Sequence, residues 1–400
     1  MKKKSNTLIN WWQKPRDKND FEEHRQVSFL ELFYDLVYVA LIAQISHSLA
    51  DEVSVHGIIK FIFIFTMVWW YWLNGTLYHD LHGNNDIRTR VFTFLQMICV
   101  VGMAIFASKA FHSGSIGFTI SAIVLLVVLL FLWWRVGHHQ KQFKPLSNLY
   151  GSIIIINIGL LSSSLFLVSP QNKWLWVAAT LICFLSPIFL SMLSFLSDRV
   201  KIEHTTQASS SLVERFGLFI IIVLGEIITA VVSGSRYVAL SHKVAALCLF
   251  GILIAIGIWW LYYDFISHRK PKRGSSNHII WYYLHLPLTI GITGVGASIL
   301  YIIKHVNEYA SSIVYYLFSS SMAVIVFCIA ILLKVLDEHS ETSKYLNSST
   351  NGLLMIACIY LGLMFTKINI VLHLAISVLL LFVPILNSML KSYLNTTKTN

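Results

Sequence analysis

Glu31 and Asp35 stand four residues apart in the first long apolar run. In a helix that spacing puts both carboxylates on one face, about 6 Å apart along the axis. A carboxylate at bilayer depth costs at least ~2.5–3.5 kcal/mol, so each needs a partner or a water-lined cavity. Arg88 and Arg90, at the start of the third apolar run, enter from the same side and are the expected partners. Two readings follow: an ion pair that locks two helices in register, or a gate for a cation or proton. Glu214 and Arg215 repeat the arrangement at the start of the seventh run. Glu226 follows Gly225 about 18 Å further along that helix, with no Lys or Arg near it in sequence. Such an acid suits a proton or cation carrier, and equally a neutral acid that donates a hydrogen bond between helices. His285 lies about 10 Å inside the ninth run, two residues before Pro287. It reads as a packing residue or as a relay to Glu226. Pro287 cannot donate to the carbonyl of Tyr283, and with Gly291, Gly294 and Gly296 behind it the ninth helix is expected to bend. Gly217 and Gly225 are expected to admit a neighbouring helix or a bound ion close to the backbone.

The histidines offer a competing chemistry. His79-Asp80-Leu81-His82, His138-His139, His204, His268 and His278 fall on one side of the membrane, where a di-iron enzyme would place its ligands. None has the H-x-x-x-H spacing that puts two imidazoles on one helix face, so they read as solvated loop residues, with no metal site and no cofactor expected. The five cysteines lie inside apolar runs without C-x-x-C spacing, which argues against disulfides and thiolate metal sites.

These side chains need elements to hold them, and composition fixes the kind. Of 400 residues, 56% are hydrophobic and 12% charged, with a mean hydropathy of +0.68, against roughly 25% charged residues in a soluble domain. The net charge of +11 does not indicate nucleic acid, because the basic residues sit between apolar runs. A span needs about 20 apolar residues. The predicted segments are 29–50, 56–78, 89–110, 116–136, 148–168, 173–196, 213–233, 243–266, 279–302, 310–333, 351–367 and 369–390. Of the 30 Lys and Arg residues, 23 fall on the side of the N-terminus, which predicts cytoplasmic termini in the cell membrane. The N-terminal stretch is too long and too acidic near its end for a cleavable leader, and is expected to stay attached.

The chain also repeats itself. ELFYDLV at Glu31–Val37 aligns with ERFGLFI at Glu214–Ile220, Trp69-Trp70 with Trp259-Trp260, FLQMICVVG (from Phe94) with YLHLPLTIG (from Tyr283), and Pro187 with Pro384. The paired tryptophans read as packing or interfacial anchors, and Gln96 is the counterpart of His285. Six spans per half is an even number, which predicts two parallel six-helix repeats. The expected architecture is an all-α polytopic membrane protein of about twelve transmembrane helices. Its expected organisation is a segment 1–28, repeats over 29–197 and 213–390, a linker 198–212 and a tail 391–400.

VSFLELFYDLVYV paired with LVERFGLFIIIVLGEII, together with WWYWLN and WYYLHLPLTIGI, resembles the bacterial low temperature requirement A (LtrA) family. The resemblance implies a multi-pass membrane protein connected with growth in the cold, and it carries no established chemistry. The function expected is a proton- or cation-coupled transporter or channel-like permease. Glu226 and His285 would form its site and Glu31, Asp35, Arg88, Arg90 and Glu214 its gate. Partners expected are the bilayer and a small solute, with homo-oligomerisation left open. The alternatives are a membrane enzyme acting on lipid head groups or isoprenoids with Asp80 and Asp86, and a structural or sensory protein without transport.

Overall fold

The computed structural model describes residues 13–16, 25–84, 86–110, 115–168, 171–196, 208–267, 269–308, 311–337, 343–366 and 368–399. His204, His268, the side chain of Pro187 and most of the 198–212 linker lie outside the described residues. Those described form α1 (Phe29–Asp51), α2 (Val55–His82), α3 (Ile87–Ala107), α4 (Ser115–His139), a short 3-10 turn (Lys141–Phe143), α5 (Lys144–Ser164) and α6 (Gln171–Leu196). Then follow α7 (Ser210–Ser235), α8 (His242–Phe265), α9 (Ser275–Lys304), α10 (Ser312–Val335), α11 (Ser343–Leu363) and α12 (Ile370–Thr399). The segment expected as a tail after 390 continues α12 to Thr399.

Among the described residues there is no strand, and ten helices (α1–α5, α7–α10 and α12) are long and apolar enough to cross a bilayer. The apolar part of α11, Ser349–Leu363, is shorter. Outward-facing apolar side chains such as Leu36, Ile98, Ile105, Val124, Val127 and Leu379 are exposed, as a lipid-facing surface requires. Helix starts follow ordinary capping chemistry. Asp86 accepts from Thr89 N at 2.9 Å before α3, and Ser241 accepts from Val244 N at 3.3 Å before α8. Gly274, at φ 119°, turns the chain into α9 in a conformation that side-chain-bearing residues rarely adopt.

The chain divides into two compact units. The first comprises residues 1–44 and 63–212, and the second residues 45–62 and 213–400. The boundary after Leu212 falls next to the expected start of the second repeat. The corner joining α1 and α2 belongs to the second unit.

In the first unit α3 packs on α4, α4 on α5 and α5 on α6. Trp133 on α4 stacks on Tyr150 of α5 at 4.5 Å and donates to Asn74 Oδ1 on α2 at 2.8 Å. In the second unit α9 packs on α10, α10 on α11, and α8 on α12. Helix α9 is deeply enclosed, with Leu288, Ile292, Val295 and Ile299 all buried. Its glycines permit that enclosure. A Cβ on Gly291 would stand 2.9 Å from Ile325 and 3.0 Å from the backbone oxygen of Ser321. Gly291→Ala is therefore expected to destabilise the α9–α10 contact by about 1–3 kcal/mol, measurable as a lower thermal midpoint in detergent. Gly352, which has nothing within 4 Å of its Cβ position, is the matched control.

Candidate functional site

Glu31 enters α1 in its first turn and closes a capping box with Ser28. Ser28 N and Oγ donate to Glu31 Oε2 at 2.9 and 2.8 Å, while Glu31 N donates to Ser28 Oγ at 3.3 Å. Its other oxygen takes an ion pair from Arg25 at 2.7 Å. The cation found on Glu31 thus comes from just upstream in the chain. Asp35, fully buried, accepts from Trp72 Nε1 at 2.8 Å.

The α3 arginines divide. Arg88 is buried with Asp86, Arg135 and Tyr78 around it, whereas Arg90 is exposed. Glu214 is exposed too, although its aligned counterpart Glu31 is buried, and in α7 it is Arg215 that turns inward. The sequence match between Glu31 and Glu214 therefore does not carry over to their surroundings.

Around Glu31 the structure gathers residues that the spacing argument missed. Asp80 Oδ1 accepts from Ser209 and Ser211 Oγ, each at 2.6 Å, with Arg25 at 3.9 Å. Asp80 belongs to the stretch read as a solvated loop, yet α2 runs on to His82 and buries His79, Asp80 and His82. His278 is buried as well, and only His138 and His139 of the described set are exposed. His79 reaches Thr93 Oγ1 through Nε2 at 3.3 Å.

Asp86 is a second anchor on this face. Burial alone would raise its carboxyl. Hydrogen bonds from Thr89 and Gln13, with the charge of Arg135, outweigh that and hold it below the usual carboxylate range. A depressed carboxyl contributes stability above its unfolded pKa of about 3.9 and loses it as pH falls through the lower folded value. The Asp86 contribution is thus expected to be constant from pH 5 to 8 and to disappear only in strong acid. Comparing Asp86→Asn with wild type in thermal melts across that range checks it.

In the second unit Glu226 lies nine residues before the end of α7 at Ser235, about 13 Å along the helix. It is buried, and its Oε1 accepts from Thr229 Oγ1 at 2.9 Å. Its Oε2 has no hydrogen-bond partner among the described residues. His47, near the C-terminal end of α1, lies within electrostatic reach. Gly296 of α9 faces it, where a Cβ would stand 3.4 Å from the Glu226 backbone. Gly225 has nothing within 4 Å of its Cβ position, so it borders open space instead of a close helix contact. Gly217 gives its carbonyl to the Tyr263 hydroxyl.

His285 is placed elsewhere. Its ring meets Phe216 of α7 at 4.8 Å, ten residues before Glu226, and it precedes Gly296 by eleven residues on α9. By either helix the two groups are about 15 Å apart. No direct proton transfer can join them. Both ring nitrogens of His285 are engaged, Nδ1 with Trp281 O at 2.7 Å and Nε2 with Tyr262 OH at 3.0 Å. A carbonyl only accepts, so Nδ1 carries the hydrogen and Nε2 accepts from the tyrosine. One turn and two turns on from His285, past Pro287, the buried hydroxyls of Thr289 and Thr293 donate to α9 carbonyls.

Apolar helices of spanning length, lipid-exposed aliphatic faces and acids held inside by dedicated partners together define a multi-pass helical membrane protein. The chain belongs to the bacterial low temperature requirement A (LtrA) family, whose sequence profile matches residues 26–386. It is also similar to "Uncharacterized protein RA0937" of Rhizobium meliloti (strain 1021), with 25% identity over 290 residues, covering 68% of this chain and 69% of that protein.

Proposed function

We propose that this protein is a proton- or cation-coupled transporter or channel-like permease for a small solute, with Glu226 as the coupling site. The observation that carries the reading is the buried Glu226 carboxyl, one oxygen of which has no hydrogen-bond partner among the described residues while an open space borders the adjacent Gly225. Burying a polar atom without a partner is costly, and such an atom is explained by an ion, a proton or a solute that occupies it during a cycle. His47 of α1 lies within electrostatic reach of this site. His285 takes a positioning role, tying α8 to α9.

Twelve spans in two parallel six-helix repeats, with both termini cytoplasmic, is the architecture that goes with this reading. Matched contacts support it. A Cβ on Gly102 of α3 would meet Ser121 of α4 at 2.5 Å, and on Gly294 of α9, about one turn past the aligned Gly291, it would meet Ser321 of α10 at the same distance. Tyr71 of α2 lies beside Cys183 of α6, as Gly257 of α8 lies against Leu381 of α12. The test is proton movement in proteoliposomes. An imposed cation or pH gradient is expected to drive flux, reported by a trapped pH dye, above that of protein-free vesicles. No flux with any tested gradient would favour a structural role.

A further inference from the structure

Four residues ahead of α1 are held in an unusual way. Every backbone carbonyl from Gln13 to Arg16 accepts a hydrogen bond from a side chain of the first unit. Arg135 donates to Gln13 O and Asn84 to Lys14 O. Gln140 Nε2 donates to Pro15 O at 3.0 Å and to Arg16 O at 2.9 Å, and His82 Nδ1 also meets Arg16 O at 3.4 Å. The amides are read as well: Gln13 N donates to Asp86 Oδ2 at 3.1 Å and Arg16 N to His82 O at 3.2 Å. Pro15, the buried member, has no N–H to satisfy. The Lys14 side chain is exposed, and the Arg16 guanidinium donates to Asp80 O.

The readers sit where helix ends leave backbone groups unpaired. Asp80 and His82 lie in the last turn of α2, Asp86 caps α3, Arg135 lies just before the last turn of α4 and Gln140 follows that helix. We propose that these ends form a groove that recognises extended main chain with little regard to side chains, and that residues 13–16 are its resident occupant, latching the N-terminal segment across α2, α3 and α4. A peptide backbone is the partner such a groove fits, because its donors and acceptors alternate to match donors and acceptors fixed on rigid helix ends.

The test uses the full-length protein with its five native cysteines replaced by serine and a nitroxide attached at Lys14→Cys, whose exposed side chain is not part of the recognition. Electron paramagnetic resonance then reads the motion of the segment. The nitroxide is expected to be restrained in this parent, and Gln140→Leu, which removes the donor to two carbonyls, is expected to shorten its correlation time by about threefold, into the range of free chain ends. Gln13→Pro, which removes only the N–H given to Asp86, should release it, whereas Gln13→Ala should not. A second nitroxide at the lipid-facing Val127→Cys is expected to be unchanged throughout. If Gln140→Leu disturbs that second probe, the Gln13 pair decides, since it leaves the helices untouched. Equal release by Gln13→Ala and Gln13→Pro would overturn the proposal, because side chains would then hold the segment. A parent nitroxide as free as that of Gln13→Pro would overturn it too.

Discussion

Glu226→Gln is expected to leave the protein folded and to lower any pH-dependent flux by at least about tenfold, the loss of a group that must exchange a proton in each cycle. The amide matches the protonated acid in shape and can keep the hydrogen bond from Thr229 Oγ1. It cannot bind and release a proton near neutral pH. If Glu226 serves only to hydrogen-bond within the bundle, the same change should be nearly silent, because one neutral polar group replaces another. Glu226→Ala does not separate these cases, since it also opens a cavity. The measurement is flux of the Gln variant per amount of reconstituted protein across a pH series. Wild-type flux with unchanged pH dependence would sink the coupling role and leave the permease reading to rest on some other group.

Asp80→Ala should be strongly destabilising in the first unit. Asp80 is buried, receives two 2.6 Å hydrogen bonds from Ser209 and Ser211 and has Arg25 3.9 Å away. Truncation removes both serine hydrogen bonds, leaving the two hydroxyls to each other at 3.1 Å, and leaves the Arg25 charge to Glu31 alone. Removing one partner from a buried charged network costs about 3 kcal/mol or more, and Arg25 retains some solvent contact, so the lower end applies. The contrasting case is Asp264→Ala. Asp264 accepts from Trp260 Nε1 at 2.6 Å in an exposed position, where a loss within about 0.5 kcal/mol is expected. Thermal midpoints of the two variants in the same detergent compare them directly.

Helix positions were legible wherever a run of about 20 apolar residues was needed to cross the bilayer. They were less so where polar residues are satisfied inside. The predicted end of the second span at 78 falls four residues short of His82, because His79 and Asp80 look like the approach to a loop. In the structure Thr93 and the two serines satisfy them. Spacing fixes how far along α7 Glu226 lies, and in the structure that residue is buried. Arg25 as a partner of Glu31 was not legible from helix spacing, for a local reason. The Ser28 to Glu31 capping box turns the carboxylate back toward the N-terminus, within reach of Arg25, and that box is itself a readable sequence signal. His47 and the groove readers Asn84, Asp86, Arg135 and Gln140 carry no local pattern. Their roles come from segments brought together only by the fold.

The corner of chain at residues 45–62 sets a timetable for synthesis. Asp51 pairs with Lys304 at 2.9 Å, and the same ammonium lies over the Tyr237 ring at 4.7 Å, so the corner is completed by residues made 253 positions later. At about 5–20 residues per second the ribosome takes roughly 10–50 s to supply them. Throughout that interval the corner between α1 and α2 lacks these partners. Asp51 is largely exposed, so until α9 arrives water stands in for the Lys304 ammonium at that corner.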